Sequence, residues 1–290
     1  MSGKEAKTKR RIMLIIAYDG TDYCGWQIQD NGLSIEEVLT RAVSKVTGVR
    51  TTVYGASRTD AGVHALGNVA VFDTDSQIEE ELFARAVNTY LPDDIRVRSS
   101  REVPAGFHPR YGEDLSDPHT VEGKDGPQRP RAVKVYEYYV MNTPDIIPTE
   151  RRTNWYLSYP LDLEAMRRAA KYLVGEHDFT SFCCPRTGVK TRVRELTAIT
   201  ITKEGDRITF RVEGTGFLMH MVRIIVGTLV RVGRGYYRPA QVLEILEARD
   251  REKAGATAPA HGLFLIGIDY PVLDNKPDRG TVLLSEKEER

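Results

Sequence analysis

Thr51-Thr52-Val53-Tyr54-Gly55 and Gly67-Asn68-Val69-Ala70-Val71-Phe72-Asp73-Thr74 frame the part of the chain that decides its fold. Both runs are rich in β-branched and aromatic residues and read as strands. Between them Ser57-Arg58-Thr59-Asp60-Ala61-Gly62-Val63-His64-Ala65 is too irregular for core and carries the turn residues Asp, Thr and Gly, so it reads as a loop joining paired strands. Upstream, Arg11 to Tyr18 is a β-rich apolar run. Ser34 and Glu37 stand at capping-box spacing, Ile35, Val38, Leu39, Ala42, Val43 and Val46 share one helical face, and Gly48 ends the pattern. Downstream, a second helix is predicted from about Glu79 to Tyr90, stopped by Pro92, with Ile95 and Val97 leading another strand. The order β-α-β-β-α-β is that of a ferredoxin-like unit, whose helices cover one face of its sheet.

The second half repeats this order without visible identity to the first. Strands are predicted at Val133 to Met141, Arg192 to Lys203 and Arg207 to Gly214, and helices at Leu161 to Val174 and Phe217 to Val232. A short helix, Pro239 to Ala248, and a strand, Phe264 to Tyr270, close it. The expected fold class is α+β, with two ferredoxin-like halves forming one extended, mainly antiparallel sheet and a central cleft as the place for a ligand. The expected divisions are 1–103 for the first half, with the Asp60 loop, 104–132 for a connection, 133–278 for the second half and 279–290 for a polar tail. Within the connection, Gly112 to Arg131 holds three prolines, three glycines and mixed charge, and reads as a long surface insertion.

With 290 residues, 41% of them apolar, the chain can bury a core without staples. Its three cysteines offer no disulfide framework: Cys183 and Cys184 are adjacent and Cys24 stands alone. No metal site is expected, and the reducing cytoplasm is the expected compartment. The longest apolar runs are of strand length, which excludes a membrane partner, and the polar, basic N-terminus lacks a signal core. The formal net charge is zero, yet arginines and lysines gather at Lys7 to Arg11, Arg151-Arg152, Arg186 to Arg194 and at Arg223, Arg231, Arg234 and Arg238. Such segregation lets one face of a neutral protein be positive.

Three positions carry the chemistry, each with a structural alternative. Arg58 beside Asp60 favours the anionic carboxylate, which suits a nucleophile or base, and also describes an ion pair within a turn. Tyr136, in Lys134-Val135-Tyr136-Glu137-Tyr138, either stacks on a base at a cleft or packs in a core, since it alternates with Tyr138. Arg223 lies in the glycine-flanked apolar stretch Gly216 to Gly227, where a buried guanidinium needs a partner such as Asp60 or else snorkels to solvent. His64 reads as a structural histidine bonded near the turn. One carboxylate within the motif argues against glycoside hydrolysis, which needs two.

The Arg58-Thr59-Asp60-Ala61-Gly62-Val63-His64 motif resembles that of the tRNA pseudouridine synthase A family. Further segments agree in order: Gly25-Trp26-Gln27, Phe107-His108-Pro109-Arg110, Lys134 to Tyr138, His177-Asp178-Phe179, Gly216-Phe217-Leu218 through Met221-Val222-Arg223, and His261-Gly262-Leu263. The resemblance implies a tRNA pseudouridine synthase acting on uridines 38, 39 and 40 of the anticodon arm, with no cofactor and as a homodimer. It implies that Asp60 is catalytic, that Tyr136 stacks on the base, and that Arg58 helps hold the base out of its stack. It further implies that Arg223 pairs with the catalytic Asp and that Leu218 and Val222 wall the uracil pocket. His108 and Arg110 are possible RNA contacts. The insertion at 112–131 departs from the usual members. Whether Asp60 attacks the sugar, attacks the base or removes a proton stays open, as do two other classes: a noncatalytic RNA-binding protein and a small-molecule enzyme using Asp60 as base.

Overall fold

The computed structural model describes residues 9–112, 132–185, 188–270 and 273. Nearly all of the insertion and the whole polar tail fall outside the described residues. The fold is α+β and the chain forms two compact units. Among the described residues, one comprises 9–61, 65–112, 132, 267–270 and 273, and the other 62–64, 133–185 and 188–266.

In the first unit the elements are β1 (Arg10–Tyr18), α1 (Ile35–Thr47), β2 (Tyr54–Gly55), β3 (His64–Thr74), α2 (Leu82–Asn88) and β4 (Ile95–Val103). The strand order is β4-β1-β3 with β2 beside β3, every pairing antiparallel, as a ferredoxin-like unit requires. Ile12 sits opposite Phe72 and Leu14 opposite Ala70, so all four side chains share one sheet face. That face is covered by helices: Phe72 meets Phe83 of α2 edge-to-face at 5.4 Å, and Ile35, Leu39, Ala42 and Val43 of α1 are buried. The other face is closed by Met13, Val69, Val71, Phe107, Ala132 and Tyr270. Ser34 caps α1 by accepting from the Glu37 N–H, and Gly48 ends it at φ 74°. Helix α2 is shorter at both ends than its periodicity predicts. The Asn88 amide leaves the helix to bond both backbone groups of Val97, and the Ser100 hydroxyl bridges Glu80 and Ala84.

The second unit contains β5 (Val133–Met141), β6 (Trp155–Tyr156), α3 (Leu163–Ala170), β7 (Gly175–Asp178), β8 (Val193–Glu204), β9 (Arg207–Gly214), α4 (Met221–Gly233) and α5 (Gln241–Ala248). It also takes the start of β10 (Leu263–Asp269). The order β10-β5-β9-β8 repeats that of the first unit, with β7 added beside β8 and β6 paired parallel to β5. β6 and β7 are too short to leave a periodic signal. Helix α4 begins four residues later than Phe217. The preceding residue, His220, takes a left-handed φ of 64°, and a turn from Leu218 to Met221 leads into the helix. Its interior is buried almost throughout, so it is the core helix of this unit.

Candidate active site

The loop carrying Asp60 is fastened from behind. Ser57 and Thr59 are buried while Arg58 is exposed and Asp60 half-buried, so the extended backbone alternates and sends Arg58 and Asp60 to the side opposite the core. The Thr59 hydroxyl lies 2.7 Å from the buried Tyr18 hydroxyl, and the Thr59 carbonyl accepts from the Trp26 N–H at 3.0 Å. Asn68, fully buried on β3, donates to both the Tyr18 hydroxyl and the Ser57 carbonyl. A buried polar network that satisfies its members is stiff, because each lost partner leaves a desolvated group unpaired.

Two glycines let the backbone close on this loop. Gly25, at φ 102°, approaches so nearly that a Cβ there would stand 2.7 Å from the Thr59 carbonyl oxygen and 3.1 Å from the Ala61 nitrogen. Gly55 lies flat on the Trp26 indole, where a Cβ would collide with the ring. The Gly25-Trp26-Gln27 segment is therefore a support for the Asp60 backbone.

In the second unit Tyr136 is 7% exposed and packs edge-to-face on Phe217, with centroids 4.9 Å apart. Leu218 and Val222 are buried, at the turn before α4 and in its first turn. Arg223, on that same turn, is half-buried and its Nε–H donates to the Ala258 carbonyl at 2.8 Å, while the Ala258 N–H donates back to the Arg223 carbonyl at 3.1 Å. The Ala254-Gly255-Ala256-Thr257-Ala258 strap lies along α4. The Gly255 N–H donates to the Thr228 hydroxyl, and a Cβ on Gly227 would fall on the Ala256 carbonyl oxygen. Arg251 bonds the Gly255 carbonyl and the Thr257 hydroxyl from the other side. Near Arg223, burial holds the Tyr138 phenol well above its ordinary pKa against the opposing pull of the guanidinium, and its hydroxyl donates to the Pro259 carbonyl.

His64 is 1% exposed, donates from Nε2 to the Arg152 carbonyl at 2.9 Å and stacks on Phe264. His261 donates likewise to the Asn154 carbonyl at 3.1 Å. Two imidazoles thus hold one short loop, and the structural reading of His64 fits its surroundings. Burial, with the nearby His64 and Arg223, keeps the His261 pKa low even though the bond to Asn154 pulls the other way. Phe107 is a core residue, packed on Tyr270. His108 packs against Tyr111 with the rings tilted by 30°, its Nδ1 accepts from the Arg110 N–H, and burial together with Arg110 and Arg11 lowers its pKa. Arg110 is exposed, 5.8 Å from the centre of the Tyr111 ring.

The structure thus places Arg58 with Asp60 in one unit, and Tyr136, Leu218, Val222 and Arg223 together in the other. The motifs did not disclose Tyr18, Asn68 or the Ala258 carbonyl. A lone amide directly before the apolar run Val69 to Phe72, and the small-residue run Ala254 to Ala260, were the available signals. Among the described residues no three His, Cys, Asp or Glu side chains gather as a cation-binding group, and no helix is long and apolar enough to cross a membrane.

The chain matches known proteins over most of its length. A family model described as tRNA pseudouridine synthase matches residues 14–112 and 169–271. Proteins named tRNA pseudouridine synthase A from Thermoanaerobacter sp. (strain X514) and Brevibacillus brevis are each 43% identical over 261 residues, covering 90% of this chain and all of theirs. One from an Exiguobacterium species is 42% identical over 265 residues, 91% of this chain and all of its own. A crystal structure of a Cbf5-Nop10-Gar1 complex aligns with 76% of this chain and 45% of its own at 13% identity, with a TM-score of 0.32, too distant to carry an argument. The family model and these relatives define a pseudouridine synthase. The chain belongs to the tRNA pseudouridine synthase family, and the relatives it matches along their whole length are the A-type enzymes.

Proposed function

We propose that this enzyme isomerises uridines 38, 39 and 40 in the anticodon arm of tRNA, with Asp60 as the catalytic nucleophile. The isomerisation of uridine to pseudouridine in tRNA follows from family membership. The reaction breaks the N1–C1′ bond, turns the uracil without releasing it and forms a C5–C1′ bond. The C5 proton leaves to solvent and N1 gains one. It needs a single anion and a site that retains the base. The observation that carries the assignment is the loop itself: Ser57 and Thr59 are anchored in a buried network, and the alternation sends Asp60 and Arg58 the other way. A carboxylate held on a stiff backbone loses little freedom on reaching the reacting carbon.

In this reading Arg58 helps hold the uridine out of its stack and Tyr136, its ring fixed by Phe217, faces the base. Leu218 and Val222 wall the uracil. Arg223, oriented through Ala258, contributes a positive charge to the binding of the substrate. His108 and Arg110 meet the RNA backbone, the enzyme works as a homodimer on tRNA in the cytoplasm, and no cofactor takes part. The test is tritium release from tRNA labelled at uridine C5, followed by mapping of pseudouridine in the product. New pseudouridine confined to positions 38 to 40 supports the reading, and modification elsewhere with those positions untouched contradicts it. Tight binding of unmodified tRNA without release would instead favour a binding protein.

A further inference from the structure

The C-terminal end of α4 carries a group of side chains that the chemistry at its first turn does not use. The Arg234 guanidinium carbon lies 3.8 Å from the centre of the Tyr159 ring and 4.6 Å from that of Tyr236, so the cation is set against two tyrosine faces. Arg231 is 5.8 Å from Tyr236 and 5.6 Å from Tyr237. The platform is built. Asn142 bonds the Leu157 and Tyr159 carbonyls, the Asp162 N–H bonds the Gly233 carbonyl, and the Tyr236 N–H bonds the Arg231 carbonyl. Gly235, at φ 75°, makes the turn that brings Tyr236 back over the helix end. Arg231 and Arg234 are exposed, and Tyr236 is 60% exposed.

Among the described residues neither guanidinium has a carboxylate partner, whereas the neighbouring Arg238 pairs with Glu244 at 3.5 Å. In a chain with equal numbers of acidic and basic residues this is a selective arrangement. The Arg234 Nη2 donates to the Tyr236 hydroxyl at 3.0 Å, so the rings fix this guanidinium while the rest of its N–H edge is left for a ligand. That edge matches the two oxygens of a phosphodiester. Complementing the helix dipole would need only charge at this end, not tyrosine rings beside each guanidinium.

We propose that Arg231 and Arg234, set by Tyr159, Tyr236 and Tyr237, form a phosphate grip for the tRNA backbone at a distance from the reacting uridine. Arg234 stands eleven residues beyond Arg223, about 16 Å along the helix at 1.5 Å per residue. The grip thus engages phosphates other than those flanking the target nucleotide. The inference rests on the tRNA reading above.

The test is the salt dependence of full-length tRNA binding, measured beside tritium release, for wild type, the double variant Arg231→Gln/Arg234→Gln and the control Arg41→Gln, whose arginine pairs with Glu37. Each lost phosphate contact flattens the slope of log affinity against log salt by roughly 0.7 to 0.9. The double variant should therefore lose about twice that, bind on the order of tenfold or more weakly, and show the deficit in KM. Arg41→Gln should keep the wild-type slope. A slope and affinity equal to wild type in the double variant would overturn the grip, and so would a lowered melting temperature with unchanged binding. The charge-preserving pair Arg231→Lys/Arg234→Lys keeps the helix end cationic should the glutamine pair fold poorly. It should retain the slope yet bind more weakly, and undiminished affinity there also contradicts the proposal. If wild type itself releases no tritium, the tRNA reading fails rather than the grip.

Discussion

Asp60 stands on a loop whose rear is hydrogen-bonded by buried polar side chains, whereas Arg223 stands on a helix whose flank is pressed against a strap of small residues. The first device is directional. Tyr18, Asn68 and Thr59 each hold a specific atom, and the loop has the shape those bonds dictate. The second works by exclusion: Gly227 and Gly255 let two backbones approach until the Thr228 hydroxyl and the Ala258 carbonyl come within bonding reach. A catalytic acid needs its backbone aimed. A cation on a long side chain needs only a fixed root and one bond to orient the guanidinium. The difference predicts that damage to the first region shows mainly in rate, and damage to the second mainly in stability.

The largest stability effect should come from Gly227→Ala. Its Cβ would meet the Ala256 carbonyl, a backbone atom that cannot step aside, and overpacking of this kind costs about 3 kcal/mol despite alanine's better helix propensity. Denaturant unfolding checks it. A loss below about 1 kcal/mol would show the strap to be yielding and erase the contrast. Next comes Asn68→Ala, which strips the Tyr18 hydroxyl and Ser57 carbonyl of their donor at the cost of about 2 kcal/mol. Here the more telling readout is kinetic: single-turnover rate should drop roughly tenfold or more while tRNA affinity holds, since the acid is misplaced and the binding surface is not. An equal loss in affinity and rate would make Asn68 a general fold residue.

The smallest effect concerns pH. Burial disfavours charged His261, so its folded pKa lies below the unfolded value near 6.5 and the unfolded chain binds the proton more readily. Its contribution is therefore complete above about pH 6.5 and is lost as pH falls through the lower folded value. His261→Gln should flatten the acid side of the stability profile, recorded as melting temperature between pH 8 and 5. A profile parallel to wild type would remove His261 from the account, leaving His108, whose pKa is lowered as well, to carry the slope.

The two regions were also unequally legible in the sequence. Helix α1 showed its cap, apolar face and stop, because Ser34, Glu37 and Gly48 act within their own segment. The paired orders of strands and helices followed from similar local signals. Helix α2 was overextended, because the bonds that end it join Asn88 and Ser100 to residues distant in the chain. Asp60, Tyr136 and Arg223 were visible because motifs name them. Tyr18 and Asn68 were not, since a buried tyrosine and a lone amide in a strand look like core until the chain brings them together 50 residues apart. The Ala258 carbonyl has no side-chain identity and could only be found in three dimensions.

The central claim is that Asp60 supplies the chemistry while its loop supplies the aim. Its most direct measurement is single-turnover tritium release from tRNA labelled at uridine C5, comparing wild type with Asp60→Asn, an isosteric change that removes the anion and leaves the Ser57 and Thr59 anchors intact. The account predicts wild-type tRNA affinity with release reduced to background. Release by Asp60→Asn at a rate near wild type would contradict it.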